Sequence, residues 1–447
     1  MQQHRFTRLT ALALGITGAL ALGQVHASGF QLKENSVKGL GAAFAGAGVN
    51  ETDSSVVANN PATMARFEGT TMQVDVTAID LSYEFKGTGN DALGRPLTGG
   101  NGGDAGDIAA VPAMSGIHKL DNGLGLGAMV SAPFGLKTEY DDNWQGRYFA
   151  HTSDVEIIDL TLAAALDIVP DKFSVGLGLI YSRADVTLSK SVDFGSLLFA
   201  NPATRPLPFA RPQAADGFAE IQGDDTGFGF TLGANLKPTE KLAIGLSYRS
   251  EIDYELDGTA DWTVPSNVAA VFSASPTTAG LFKDGGATAK LTTPSVTNVD
   301  IRYDFNDQFA MMFSWSQTGW ESLREVRVDF AGPDPDSVEP FNWKDTQFTS
   351  LGGEYQFNDA WTFRAGLAYD ETPTHIETRT PRLPDANRWW YSLGATWQAT
   401  QALEVNFGYT RIEPESPRVD ITSGGSHLVG PFDGHANLYG VSAQYKF

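Results

Sequence analysis

Asn437-Leu-Tyr-Gly-Val-Ser-Ala-Gln-Tyr-Lys-Phe447 closes the chain, and it alternates. Tyr439, Val441, Ala443, Tyr445 and Phe447 are apolar or aromatic, with Gly440, Ser442, Gln444 and Lys446 between them. Successive side chains of a strand point to opposite faces, so a period of two gives one apolar and one polar face. The stretch then stops on an aromatic carboxy-terminus. A soluble edge strand would run on into a turn or tail. Taken alone, the stretch allows either a soluble strand or a terminal membrane strand.

The same alternation recurs upstream. It predicts strands at Thr70–Phe85, Ile108–Lys119, Gly123–Ala132, Val155–Val169, Lys172–Leu188 and Thr226–Leu236. Further strands follow near Lys241–Leu256, Ser295–Phe305, Gln308–Trp320, Lys344–Phe357, Ala360–Glu371, Asn387–Gln398 and Ala402–Arg411. The fifth carries Phe173, Val175, Leu177, Leu179 and Tyr181 on one face. With the terminal strand the count is about fourteen, even, as single-chain outer-membrane barrels require. Short polar turns such as Val169-Pro-Asp-Lys172 and Lys237-Pro-Thr-Glu240 follow even-numbered strands. Long connections, including Ser189–Asp225 and Asp257–Pro294, follow odd-numbered ones. That asymmetry separates periplasmic turns from extracellular loops and puts both termini in the periplasm. Trp361, Tyr369, Trp389, Trp397 and Tyr409 sit at strand ends, as interface aromatics do. The closing strand resembles the C-terminal recognition strand of outer-membrane barrels. That resemblance implies the barrel assembly machinery as a partner, engaged through Phe447.

Other features bear on the same reading. Arg5 and Arg8 precede an apolar run, Leu12–Leu22, and Val25-His26-Ala27 resembles a cleavage site. Residues 1–27 therefore read as a secretory signal, with the mature chain starting at Ser28. The run is shorter than the roughly 20 residues of a membrane helix. Cys is absent, which excludes disulfides and thiol nucleophiles. The formal charge is −22, and loss of Arg5 and Arg8 makes the mature chain more acidic still. Such a chain is a poor nucleic-acid binder, because that affinity comes from Lys and Arg. The mean hydropathy is only −0.18, yet the chain holds 48 Gly, 27 Phe, 9 Trp and 13 Tyr. This fits an all-β membrane barrel, in which every second residue meets lipid.

Ser28–Gly69 does not alternate. It contains Gly39-Leu-Gly-Ala-Ala-Phe-Ala-Gly-Ala-Gly48, and Asp53 is placed to cap a short helix at Ser54–Ala58 ahead of Asn60-Pro61. Its small residues suit packing inside a barrel as a plug, with residues 70–447 forming the wall; a disordered leader is the alternative.

Several motifs together resemble the long-chain fatty acid transporter family of the outer membrane. They are Ser28-Gly-Phe-Gln-Leu32, Gly39-Leu-Gly41, Asn60-Pro-Ala62, Gly135-Leu-Lys-Thr-Glu-Tyr140 and Gly227-Phe-Gly-Phe230. Tyr248-Arg-Ser-Glu251 and Pro384-Asp-Ala-Asn-Arg-Trp-Trp390 extend the likeness along the mature chain. The resemblance implies a monomeric fourteen-stranded barrel with an N-terminal hatch at Asn60, Pro61 and Ala62. It implies passive, ligand-gated uptake of long-chain fatty acids or similar hydrophobic molecules. The cargo would leave sideways into outer-membrane lipid, beside lipopolysaccharide, at a kink in the third strand. Pro133, Phe134 and Gly135 mark that place. Pro133 cannot donate to a ladder. From the residues alone, either the strand ends there or its pairing breaks.

The resemblance also aligns Arg324 with a basic residue at the ligand's head group and sets Phe30 against the ligand. Lys190 and Arg183 are further cations near the fifth strand, while the family's second cation falls on Leu188. That departure leaves room for neutral ligands such as alkanes or aromatic hydrocarbons. No catalytic site is read: of seven His, His4 and His26 fall in the signal, and His118, His151, His375, His427 and His435 lie in turns and loops. No metal or cofactor is expected, since zinc spacings and phosphate loops are missing. A general diffusion porin and a purely structural or adhesive barrel are the rival readings.

Overall fold

A computed structural model describes residues 29–447. The signal segment 1–27, Ser28, His4 and His26 lie outside the described residues. The rest forms a closed antiparallel barrel of fourteen strands. The first six are β1 (Thr70–Phe85), β2 (Ile108–Lys119), β3 (Gly125–Glu139), β4 (Thr152–Val169), β5 (Phe173–Asp193) and β6 (Asp216–Thr239). Next, β7 runs over Leu242–Arg249 and resumes at Ile252–Thr263; β8 runs over Gly285–Thr293 and resumes at Val296–Asp304. The wall continues with β9 (Phe309–Thr318), β10 (Thr346–Asn358), β11 (Trp361–Asp370) and β12 (Arg388–Gln398). It ends with β13 (Leu403–Pro414) and β14 (Ser426–Lys446). Closure is made by β1 on β14, from Thr71 opposite Lys446 to Phe85 opposite Phe432.

The burial pattern is inverted relative to a soluble protein. Leu162, Leu166, Leu177, Leu179 and Leu393 are exposed on the outer face, whereas Gln73, Asp75, Thr77 and Asn406 are buried within. Lipid on the outside and a packed polar interior account for this.

Several strands outrun their alternation. β5 and β6 stay paired out to Asp193 opposite Asp216, so the expected loop Ser189–Asp225 is largely a hairpin capped by a helix at Phe194–Ala200. Beyond the lipid both faces meet water or loops, so no apolar period is required there. The connection Asp257–Pro294 likewise contains strand and a helix, Ser266–Ser273. Between β9 and β10, a small hairpin pairs Glu325–Phe330 with Ser337–Pro340.

β3 corrects the sequence reading. It does not end at Ala132: Gly135 to Glu139 pair with Glu156 to Thr152 of β4. The register slips between Ser131 and Phe134, so Pro133 falls in a bulge where its missing N–H breaks no ladder bond. On the other side, pairing of β3 with β2 runs only from Gly125 opposite Lys119 to Val130 opposite Met114. The β2 residues 108–113 keep partners on β1 and have none on β3.

Residues 29–69 bond to strands around the whole ring. The Val37 N–H donates to Asp75 of β1 at 2.8 Å, and Ser174 of β5 donates to the Ala62 carbonyl at 2.9 Å. The Gly46 N–H donates to Ser314 of β9 at 2.8 Å, and Thr410 of β13 donates to the Leu40 carbonyl at 3.2 Å. A segment held by four such strands of one closed ring is enclosed by it. Inward-facing glycines make room for it: a Cβ on Gly394 would come within 2.7 Å of the Gly41 Cα. The short helix in this segment is Val56–Asn59 rather than Ser54–Ala58. Asp53 does not cap it in the expected way. Its carboxylate contacts Ser36, accepts from the Ser55 N–H at 3.0 Å and accepts from Gln73 of β1 at 3.0 Å.

Candidate functional site

Phe30, Gln31 and Leu32 lie along the bulged part of β3. The Leu32 N–H donates to the Pro133 carbonyl and the Gly135 N–H donates to the Phe30 carbonyl, both at 2.7 Å. The N-terminal backbone thus takes bonds that a neighbouring strand would have made. This alignment carries the Phe30 ring into a buried aromatic group. Its centroid lies 4.9 Å from Trp320, 5.8 Å from Phe134 and 5.9 Å from Trp343. The Trp320 and Phe134 contacts are edge-on and the Trp343 contact is tilted; edge-on geometry at these separations is favourable for aromatic pairs. Gly29 is required beside it, since φ is +64° and a Cβ would sit 2.9 Å from both tryptophans. Its N–H donates to Asp385 at 3.0 Å, which ties the segment to the loop after β11.

An apolar slot continues from this group toward the loops. Two adjacent cavities of about 40 and 30 Å³ share Leu188, Ile221, Val326 and Val328. Val186, Ala289 and Val326 line the slot and pack against the buried apolar cluster that contains the aromatic group. Lys190, Glu339 and Arg382 line the larger slot cavity at its polar end, and a further cavity of about 220 Å³ shares Lys190 and Glu339. Arg382 faces Glu339 at 3.3 Å and donates to the Thr152 carbonyl and the Ser153 hydroxyl at 3.1 Å. Lys190 makes no ion pair among the described residues. The end of the slot therefore carries two cations against one carboxylate.

Residues 18–447 match the family described as outer membrane protein transport protein (OMPP1/FadL/TodX). The chain belongs to this family. The long-chain fatty acid transport protein of Salmonella typhi is 28% identical over 452 residues, which cover 99% of each chain. Outer membrane protein P1 of Haemophilus influenzae is 28% identical over 460 residues, 96% of this chain and 97% of its own. A solved Pseudomonas aeruginosa FadL homologue superposes with a TM-score of 0.88 at 29% identity, covering 94% of this chain and all of the other. The toluene transporter TbuX of Ralstonia pickettii shares the fold, with a TM-score of 0.64 at 19% identity over 92% of this chain.

The FadL family consists of outer-membrane transport channels, not enzymes. One arrangement unforeseen in the sequence is His151, whose Nε2 lies 2.9 Å from the Ser191 hydroxyl. Burial holds this imidazole below its ordinary pKa. Among the described residues no carboxylate hydrogen bonds to its other nitrogen, so it is not oriented as a catalytic base.

The four residues expected to bind ligand separate. Phe30 and Lys190 line the aromatic group and the slot. Arg324 does not: its side chain is exposed, and among the described residues only its carbonyl is engaged, by the Phe341 and Asn342 N–H groups at 2.8 Å. Arg183 points out of the barrel, pairing with Asp185 at 2.9 Å and Asp224 at 3.3 Å. Its parity with the lipid-facing Leu177, Leu179 and Tyr181 already implied that direction. Arg382, Trp320 and Trp343 complete the site without having been expected. Trp320 and Trp343 flank the ends of β9 and β10, so position along the strand did not separate them from girdle aromatics.

Asn60, Pro61 and Ala62 form the start of a 3₁₀ turn, Pro61–Arg66. The Asn60 side chain accepts from the Ala62 N–H at 3.2 Å and donates to the Ala234 carbonyl of β6 at 3.1 Å. Gly176 and Gly233 stand opposite, where any Cβ would run into this turn. A concavity of about 540 Å³ is lined by Leu351, Leu367 and Leu393 on the lipid-facing surface, away from the aromatic group and the slot.

Burial pushes the Glu34 carboxyl up from 4.5 to about 7. Because folding favours its neutral form, the stability that Glu34 contributes to the enclosed segment is fully present below about 4.5 and is lost as pH rises through about 7. The protection factors for amide exchange at residues 30–40, corrected for the intrinsic pH dependence of exchange, should therefore fall between about pH 5 and about pH 8, and Glu34→Gln should reduce that fall. Equal protection factors at both pH values in the wild type would contradict it.

Proposed function

We propose that this chain is a passive channel for uptake of hydrophobic compounds, with long-chain fatty acids as the first cargo. Residues 28–69 act as its hatch, and both termini face the periplasm. The observation that carries the reading is the apolar slot ending at Lys190 and Arg382, which suits an acyl chain with a carboxylate at one end. Relatives named for long-chain fatty acid transport align with nearly the whole chain, and this supports the same cargo. Ligand pockets usually span roughly 300–1,000 Å³, well above the slot volume, so cargo must part the Phe30–Trp320–Trp343 group to be accommodated. Binding is thereby coupled to movement of the N-terminal backbone that lies on Pro133 and Gly135. Cargo then leaves between β2 and β3, where the ladder stops at Met114 and Val130.

Lys190→Gln should weaken palmitate binding about tenfold to a hundredfold relative to hexadecane, as expected for loss of one charge-assisted contact. Arg324→Gln should have a smaller effect, because its side chain is exposed. Fluorescence displacement in detergent measures both. Equal losses for the acid and the alkane would give Lys190 a packing role and favour the second reading, a channel for neutral hydrocarbons.

A further inference from the structure

A separate cavity of about 120 Å³, room for roughly four waters, has a mixed polar and apolar lining. Arg249, Lys33, Ser131 and Asn298 line it together with the carboxylates Asp159 and Asp300, so its two cations are balanced by two acids. It adjoins the point where β3 leaves β2, because Val130 is the last paired residue and Ser131 is the next.

Arg249 ends the first half of β7, and its guanidinium carbon stands 5.7 Å from the Phe134 ring centre. Its Nη1 donates to Asp159 at 2.6 Å. The other two nitrogens, Nε and Nη2, are buried and find no hydrogen-bond partner among the described residues. These two form the side edge of the guanidinium, whose parallel N–H groups match the two oxygens of a carboxylate. Asp159 cannot swing round to fill that edge. The Ser182 hydroxyl holds its other oxygen at 2.6 Å, and Tyr254 in turn donates to Ser182 at 2.7 Å.

We propose that Arg249 is a second carboxylate-binding station, one that receives the acid head of the cargo between the aromatic group and the gap in the wall. The proposal rests on the uptake reading above. Two buried donors without partners are costly, and a bidentate carboxylate would satisfy both. Asp159 already neutralises the guanidinium, so a passing carboxylate is oriented without being trapped. A neutral hydrocarbon has nothing to offer this edge. The station therefore favours acids over alkanes during transit, separately from the cations at the slot.

The test is transfer of palmitate and of hexadecane into vesicles holding the full-length protein. Arg249→Gln should lower the ratio of palmitate to hexadecane transfer by about tenfold or more. Arg249→Lys should fall between, since it keeps the charge and loses the paired donors. Removing one member of a buried pair can unfold the wall, so Arg249→Gln combined with Asp159→Asn removes both charges together. The ratio should stay low in that double variant. An unchanged ratio in Arg249→Gln, or recovery to the wild-type ratio in the double variant, overturns the station. If the wild type moves neither compound, the uptake reading falls and the station falls with it. If the wild type moves both and the variants slow both equally, only the station is wrong.

Discussion

Joining β2 to β3 across the stretch where they do not pair should stop uptake. Ala110 of β2 and Lys137 of β3 stand on either side of this gap, and both are partly exposed. The chain contains no Cys, so Ala110→Cys with Lys137→Cys gives one defined pair. A cleavable bis-maleimide should lower palmitate transfer at least about tenfold, and cleaving its arm should restore it. The physical reason is the lack of another route. Leaving through the polar periplasmic end returns the acyl chain to water at roughly 0.8 kcal/mol per CH₂, on the order of 10 kcal/mol for palmitate. Departure into the bilayer carries no such penalty. Normal transfer through the cross-linked barrel would show that cargo leaves elsewhere.

Gly394→Leu should turn a nearly closed barrel into a conducting one. The Gly394 Cα already abuts Gly41, and an added Cβ would sit 2.7 Å from backbone that has no rotamer to yield. The enclosed segment would have to move as a unit, leaving a lumen wide enough for water and ions. Single-channel recording in planar bilayers should report at least a tenfold rise in conductance, an order-of-magnitude expectation from the freed lumen. Gly353→Leu is the control, because that glycine has no neighbour closer than 3.8 Å and should leave conductance alone. A folded Gly394→Leu barrel that conducts like the wild type would remove the segment from its role as hatch. A large steady conductance in the wild type would instead favour the porin.

The wall was legible along the chain because lipid imposes a rule on each strand separately. Leu160, Leu162 and Leu166 alternate whatever the neighbouring strand contains, and the short turns alternate with long loops for the same local reason. Parity also carried more than direction along a strand: it sends Lys190 inward and Arg183 outward, although both look like candidate cations in isolation. The ribbon that extends β5 and β6 to Asp193 and Asp216 is not signalled by alternation, since out of the lipid nothing enforces the period.

What stayed hidden depends on residues far apart in sequence. Gly41 meets Gly394 and Phe30 meets Trp320 and Trp343, each across most of a barrel's worth of chain, and Arg249 meets Asp159 across 90 residues. Many of the 48 glycines read as turn formers, yet Gly176, Gly233, Gly366 and Gly394 are inward strand positions kept bare for the enclosed segment. Arg324 is not among the residues lining the slot: parity on β5 turns Lys190 toward it, and docking of the loop after β11 brings in Arg382. A period of two is a property of one strand in its solvent. Which side chains share a chamber is settled only when fourteen strands close around a segment that obeys no period at all.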